Sequence, residues 1–222
     1  MSCPSDLSSY FGLNGSSTSK ALSSYTCSEL NNATTGLTFA QRQTIQAVRT
    51  LKTGQTTSYR TGDDGYYQFG RGAGFSTLTC NNPFGNTNRF TDTLGGQTYS
   101  DDIVVDWLTG LMWYRVPTSG TWNQAIDGAE AATTGGYTDW FLPNFRQLVL
   151  ITNLELLKMT NYSPFNINIA GASTRIWSST TNSQATTTAY ALNELNGTGG
   201  QNKPTTSQYI YCRYFTLADL GL

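Results

Sequence analysis

The apolar positions of this chain fall into short groups, and three of the groups keep a helical period behind a capping signal. Thr121-Trp122-Asn123-Gln124 opens one of them. A Thr at N-cap accepts the amide three residues on, and a Gln there returns a bond to the cap. Trp122, Ala125, Ile126 and Ala129 share one face behind it, and Gly135-Gly136 ends the run. This spacing predicts a helix over 122–132. Pro143-Asn144 opens a second, with Asn144 at N-cap and Gln147 three later. Phe145, Leu148, Val149 and Ile151 form its apolar side. A third follows Thr38 and Gln41, where Phe39, Ile45, Val48 and Leu51 recur until Gly54, which predicts a helix over 39–51.

The other apolar groups are too short for helices and read as strands. Residues 103–107 and 110–114 are apolar and aromatic runs suited to buried strands. Ile176–Ser179, Ala189–Leu192 and Tyr209–Cys212 follow, separated by polar loops at 180–188 and 196–208. Asp64-Gly65, between Tyr59 and the Tyr66–Phe69 run, predicts a hairpin. Gly95-Gly96, between Phe90 and Tyr99, predicts another. Residues 1–36 are rich in Ser, Thr and Asn and read as an irregular arm. Two central helices flanked by antiparallel strands make an α+β domain over 51–222, preceded by an arm and helix over 1–50.

Composition narrows the function classes. Charged residues make up 12% of the 222 positions, against roughly 25% in an ordinary soluble domain. The net charge is -1, yet aromatics reach 13%. The chain is therefore an ordered, loop-rich protein with a neutral polar surface. Its 13 basic residues form no run, so nothing is suited to displacing counterions from nucleic acid. No apolar stretch approaches the ~18 residues of a membrane span. The chain has no His, which removes the commonest general base and metal ligand together. No basic region followed by an apolar core stands at the N-terminus, so a chain used without Sec export is expected. The sequons at Asn14, Asn32, Asn161 and Asn196 matter only in a secretory pathway. Cys3, Cys27, Cys80 and Cys212 include no CxxC pair. Cys3–Cys27 with Cys80–Cys212 is the favoured pairing; in a reducing cytoplasm all four stay thiols.

Seven motifs occur in order: KTGQTTSY (52–59), GDDG (62–65), RFTD (89–92), LTGLMW (108–113), TWNQA (121–125), GGYTDWFLPN (135–144) and WSSTT (177–181). Together they resemble the Lcl C-terminal domain family, over about residues 50–215. The resemblance implies a C-type-lectin-like fold, with two helices packed on twisted antiparallel sheets. It implies roles in adhesion, ligand display and phage particles, and no known catalytic activity. Three features depart from the family. The helix over 122–132 lacks the family's Cys, Phe141 stands where an Arg is usual, and Thr93-Leu94-Gly95-Gly96 replaces an acidic hairpin.

The motif residues also have plain structural roles. Trp107, Trp113, Trp122, Trp140 and Trp177 read as core. Gly135 and Gly136 permit a left-handed helix end, Asp139 bonds its own turn, and Ser178 and Ser179 satisfy strand-end amides. Asp63-Asp64 and Asp101-Asp102 offer oxygen ligands for calcium. They lack the spacing of a calcium loop and read as turn residues. The formylglycine-generating oxidases share the implied superfold and use paired cysteines. Neither Cys80 nor Cys212 sits in a comparable motif, and no feature lowers a thiol pKa.

A non-enzymatic phage virion surface protein is expected, as a decoration, fibre or tail component without cofactor or metal. A bacterial surface adhesin binding polysaccharide or protein is the alternative. Residues 1–50 are expected to contact other virion proteins, in a homo-oligomer or symmetric assembly. The recognition surface is expected in the C-terminal half, where a host-surface glycan or protein would bind. Its loops hold Thr, Asn, Gln and Gly with only Lys203 charged, and Asn193 and Asn196 offer amides. Tyr190, Tyr209, Tyr211 and Tyr214 lie on the adjoining strands, and Tyr is enriched where surfaces recognise partners. Alternation puts Tyr209 and Tyr211 opposite Ile210 and Cys212. The tyrosines are therefore expected to face outward.

Overall fold

One seven-stranded sheet organises the residues that the computed structural model describes, namely 51–68, 74–78, 81–153, 164–165, 175–193 and 197–222. The arm over 1–36, nearly all of the helix over 39–51, and Cys3, Cys27 and Cys80 lie outside them. The elements run α1 (Asp64–Tyr67), β1 (Phe90–Thr91), β2 (Ile103–Asp106), β3 (Leu111–Gly120), α2 (Trp122–Glu130), α3 (Phe145–Leu150), β4 (Arg175–Thr181), β5 (Thr188–Asn193), β6 (Gly197–Asn202) and β7 (Ser207–Tyr214). Across the sheet the order is β1-β2-β3-β7-β4-β5-β6. All neighbours are antiparallel except β4 and β7, which run parallel through Ile176 and Gln208. The architecture is α+β, as the pattern predicts. No helix among the described residues is long and apolar enough to cross a membrane.

Both faces of the sheet are covered, and strand alternation sorts the core into two clusters. One holds Ile103, Val105, Met112, Trp177, Ala189, Ala191, Tyr209 and Tyr211, with Ala125 and Ala129 of α2 packed on it. The other holds Val104, Leu111, Trp113, Ile176, Leu192, Ile210 and Cys212, beneath Leu148 and Ile151 at α3. Burying a Leu or Ile this fully stabilises by about 1.5–3 kcal/mol. Trp107, Trp113, Trp140 and Trp177 are buried and Trp122 packs against the first cluster. The indole N–H groups of Trp107, Trp122, Trp140 and Trp177 each find an oxygen acceptor.

The capping boxes form as read. Thr121 and Gln124 exchange bonds at the start of α2, and Asn144 and Gln147 do so at α3. Gly135 and Gly136 are both left-handed, with φ of 65° and 82°. They lie in a separate 3-10 turn, Thr134–Gly136, beyond the end of α2. Val149 departs from the pattern: it is exposed, while Gln147 is buried in its place.

Three other expectations change. Asp64-Gly65 is not a hairpin turn but the start of α1. The carboxylate of Asp63 accepts the amides of Tyr66, Tyr59 and Arg60 at 2.8, 2.7 and 3.1 Å. That N-cap outweighs the turn preference of Asp-Gly. Burial works against its charge, yet these amides hold its pKa below the ordinary carboxylate value. Gly95-Gly96 does sit in a tight turn, closed by Asp92 N–H to Gly96 O at 2.8 Å. Phe90, however, pairs with Asp106 of β2 rather than with the Tyr99 segment. Finally, the polar loop over 196–208 contains β6. Gly-Thr-Gly-Gly-Gln-Asn offers no apolar alternation, and only the ladder to β5 makes it a strand.

Candidate recognition surface

Strand β7 lies at the centre of the sheet between β3 and β4, and this decides the fate of its tyrosines. Tyr209 and Tyr211 are only 7% and 8% exposed, so the outward orientation expected for them is wrong. They do alternate with Ile210 and Cys212, but a second layer covers their face too. Tyr211 stacks on Tyr114 at 4.8 Å and shares a hydrogen bond with the Thr134 hydroxyl at 2.8 Å. Tyr209 fits against α2 where Gly128 has no side chain; a Cβ there would lie 2.5 Å from its hydroxyl. Burial raises the pKa of Tyr211.

Tyr190 and Tyr214 share the opposite face with Leu192, Ile210 and Cys212, and helix α3 covers only part of it. Tyr214, the last residue of β7, is 62% exposed. Its hydroxyl accepts from Gln147 Nε2 at 3.2 Å, and its ring lies 5.8 Å from that of Phe141. Tyr190 is half-buried, with its ring 5.6 Å from Phe145. Asn193 closes β5 opposite Gly197, and Asn196 lies outside the described residues.

The structure thus brings Tyr190 and Tyr214 together with Phe141, Phe145 and Gln147 around the start of α3, and removes Tyr209 and Tyr211 from the surface. The support is rigid. Phe141 exchanges backbone hydrogen bonds with Cys212, Ser179 N–H donates to Pro143 O, and Phe145 N–H donates to the Thr180 hydroxyl. Exposed Asn144 and Arg146 complete the rim. Flat aromatic faces beside amide donors, with one nearby cation, suit a neutral polar ligand held by stacking and hydrogen bonds. Sequence reasoning missed the half-buried Phe141 and Phe145 as part of this surface, and the buried Gln147 as the support beneath Tyr214. The Phe at 141, noted above as a departure from the resembled pattern, is the signal that could have pointed there.

Elsewhere the polar side chains build structure. Arg213, buried on β7, bonds Asp139 Oδ2 at 3.0 Å and Asp219 Oδ2 at 3.2 Å, and lies 4.2 Å from the Tyr137 ring centroid. Asp139 therefore serves an ion pair as well as its own backbone amide. The Arg213 bond holds its pKa below the ordinary value, and the Thr216 amide does the same for Asp219. Asp101 accepts from Ile103 N–H and the Thr93 hydroxyl, and Asp102 pairs with Arg115. Ser178 lies in the middle of β4 rather than at its end; it accepts from Thr180 N–H and donates to Tyr190 O. Among the described residues no three His, Cys, Asp or Glu side chains gather as metal ligands.

Cys212 is a free, fully buried thiol, which overturns its pairing with Cys80. It faces the cluster of Trp113, Ile210 and Leu148, and burial pushes its pKa well above the ordinary thiol value.

A family model described as the Lcl C-terminal domain matches residues 102–214, half of the chain. The match runs from the entry to β2 through the last residue of β7 and contains the whole α3 surface. The KTGQTTSY, GDDG and RFTD motifs precede it, so it is shorter than the resemblance over 50–215. No curated protein matches the sequence.

Proposed function

The chain belongs to the Lcl C-terminal domain family, and on that premise we propose that it is a non-enzymatic recognition protein on the surface of a phage particle. In this reading residues 51–222 form a C-type-lectin-like unit that presents the α3 surface, and residues 1–50 attach it to other virion proteins. The observation that carries the reading is the exposed Tyr214 set on Phe141 and Gln147 within the family-matched span. An aromatic anchor on a rigid frame is the usual centre of an interface. The non-enzymatic part is supported by Cys212, whose buried, raised-pKa thiol is unsuited to nucleophilic attack. The family's association with adhesion favours a second reading, a bacterial surface adhesin using the same face.

Antibodies against residues 102–214 separate the two. Labelling of purified particles in electron micrographs is expected; labelling of the bacterial surface with bare particles would establish the adhesin instead. Replacing Tyr214 and Phe145 together by Ala should weaken adsorption of the purified protein to host cells by about thirtyfold, the scale of an interface hot spot. Cooperative unfolding should persist. Unchanged adsorption would remove the α3 surface from the proposal. A chain lacking residues 1–36 should fold and fail to enter particles.

A further inference from the structure

Strand β6 forms one margin of the sheet, pairing with β5 alone among the described strands. Its hydrogen-bond parity can be read directly. Lys203 N–H donates to Thr187 O at 3.0 Å, one step beyond the Thr188–Asn202 register pair. In an antiparallel ladder, bonded and non-bonded pairs alternate. The bonded pairs along β6 are therefore Ala189–Gln201, Ala191–Gly199 and Asn193–Gly197. The N–H groups of Thr198, Gly200 and Asn202 and the carbonyls of Thr198 and Gly200 point away from β5, while the Asn202 carbonyl accepts Thr205 N–H at 2.9 Å. Gly200 and Asn202 are exposed.

Proteins blunt such margins with a charge, a proline or a bulge in the strand. Gly197–Asn202 contains no proline and no charged residue, and its register to β5 is unbroken. What stands on it instead is Arg175, reaching across from β4. Its Nη1 donates to the outward carbonyl of Gly200 at 3.1 Å. Gly199 clears the path, since a Cβ there would lie only 3.3 Å from that nitrogen. Arg89, Arg115 and Arg213 are each bound to a carboxylate. Among the described residues Arg175 has no such partner. Among the described residues, then, a guanidinium without a carboxylate sits in the middle of a ladder that no strand extends.

We propose that β6 is a strand-addition site for an extended peptide segment carrying an aspartate or glutamate. Its backbone pairs with Thr198, Gly200 and Asn202, the mode by which an exposed sheet margin takes a strand. Its carboxylate draws the Arg175 guanidinium off Gly200 O, which frees that carbonyl for the ladder and forms a charge-assisted pair. Arg175 is then both guard and selector. A second copy of this chain fits less well, because two-fold pairing centred on Gly200 would bring two Arg175 guanidinium groups together.

The test uses the full chain and the capped heptapeptide Thr-Val-Thr-Asp-Thr-Val-Thr, with a version in which Lys replaces the Asp. Amide resonances and hydrogen exchange are followed during titration to millimolar peptide. The Asp peptide should shift and protect the amides of Thr198, Gly200 and Asn202, while Gly199 and Gln201, already bonded to β5, keep their protection. The Lys peptide should bind about tenfold more weakly, a difference of about 1.4 kcal/mol, and Arg175→Gln should abolish the difference. Asn202→Pro removes only an outward N–H, which margin strands tolerate, so it should weaken binding with the fold intact by circular dichroism. Silence at these three amides, or equal binding of both peptides, would overturn the proposal. So would a concentration-dependent dimer dissolved by Asn202→Pro, which would assign the margin to a second copy.

Discussion

Arg89 and Asp106 show how a motif residue can matter without touching a ligand. Both are fully buried, joined by two bonds of 2.9 and 2.7 Å, and Arg89 also donates to the carbonyls of Phe75 and Leu150. The guanidinium carbon lies 4.5 Å from the Phe90 ring centroid, so one side chain ties β1, β2 and the end of α3 together. Removing one partner of a buried pair leaves an uncompensated charge. Arg89→Ala should therefore cost about 3–5 kcal/mol in chemical denaturation, and replacing both partners by apolar residues should cost less. Asp139 and Asp219 give a residue-scale pH dependence. Both have folded pKa values below the ordinary carboxylate range. Their stabilisation is complete above the unfolded value of about 3.9 and is lost as pH falls toward the lowered folded values. Asp139→Asn should be less stable than the parent at pH 6, and the gap should narrow below about pH 4 in denaturation midpoints.

Among the elements, α3 does the most to shape the candidate surface. It is only six residues long, Phe145–Leu150, so its ends decide its stability. The Asn144 side chain accepts Gln147 N–H at 3.0 Å, and Gln147 returns its own oxygen to Asn144 N–H at 2.8 Å. The same Gln147 side chain holds Tyr214 through Nε2. Asn144→Ala should cost about 1 kcal/mol and loosen Tyr214 as well, visible as loss of its ring packing at a lower temperature in aromatic line shapes. Thr121→Ala at α2 should cost a similar amount and leave the Tyr214 signals unchanged. That contrast separates a cap that supports the surface from one that supports only the core.

For the molecule as a whole, the order of the strands sets the order of stability. Strand β7 is bonded on both sides and covered on both faces, whereas β6 and β1 stand at the margins. Hydrogen exchange should be slowest for the amides of Ile210, Tyr211 and Cys212, approaching the global unfolding free energy, and fastest among the strands at β6. Cys212 should resist thiol reagents until the molecule unfolds, because it opens only with the central strand; rapid labelling in the native state would contradict this order.

Local rules in the sequence determined a good deal. Thr121, Gln124, Asn144 and Gln147 carry their capping geometry within four residues, so both helices could be read without tertiary information. Apolar runs marked β2, β3, β4, β5 and β7, and the tryptophans marked the core. The family motifs pointed to the span matched over 102–214. The sequence was silent wherever a non-local partner decided the outcome. Gly197–Asn202 becomes a strand only because β5 offers a ladder. Asp64-Gly65 is the local exception: it becomes helix because Asp63 gathers the amides of Tyr59, Arg60 and Tyr66 within four residues, a cap that the Asp-Gly turn preference masked. Tyr190, Tyr209, Tyr211 and Tyr214 look alike in the chain, and alternation assigns each a face. Whether a face meets water depends on what the rest of the chain lays over it. Helix α2 and its neighbours close one face over Tyr209 and Tyr211, while α3 stops short of Tyr214 on the other.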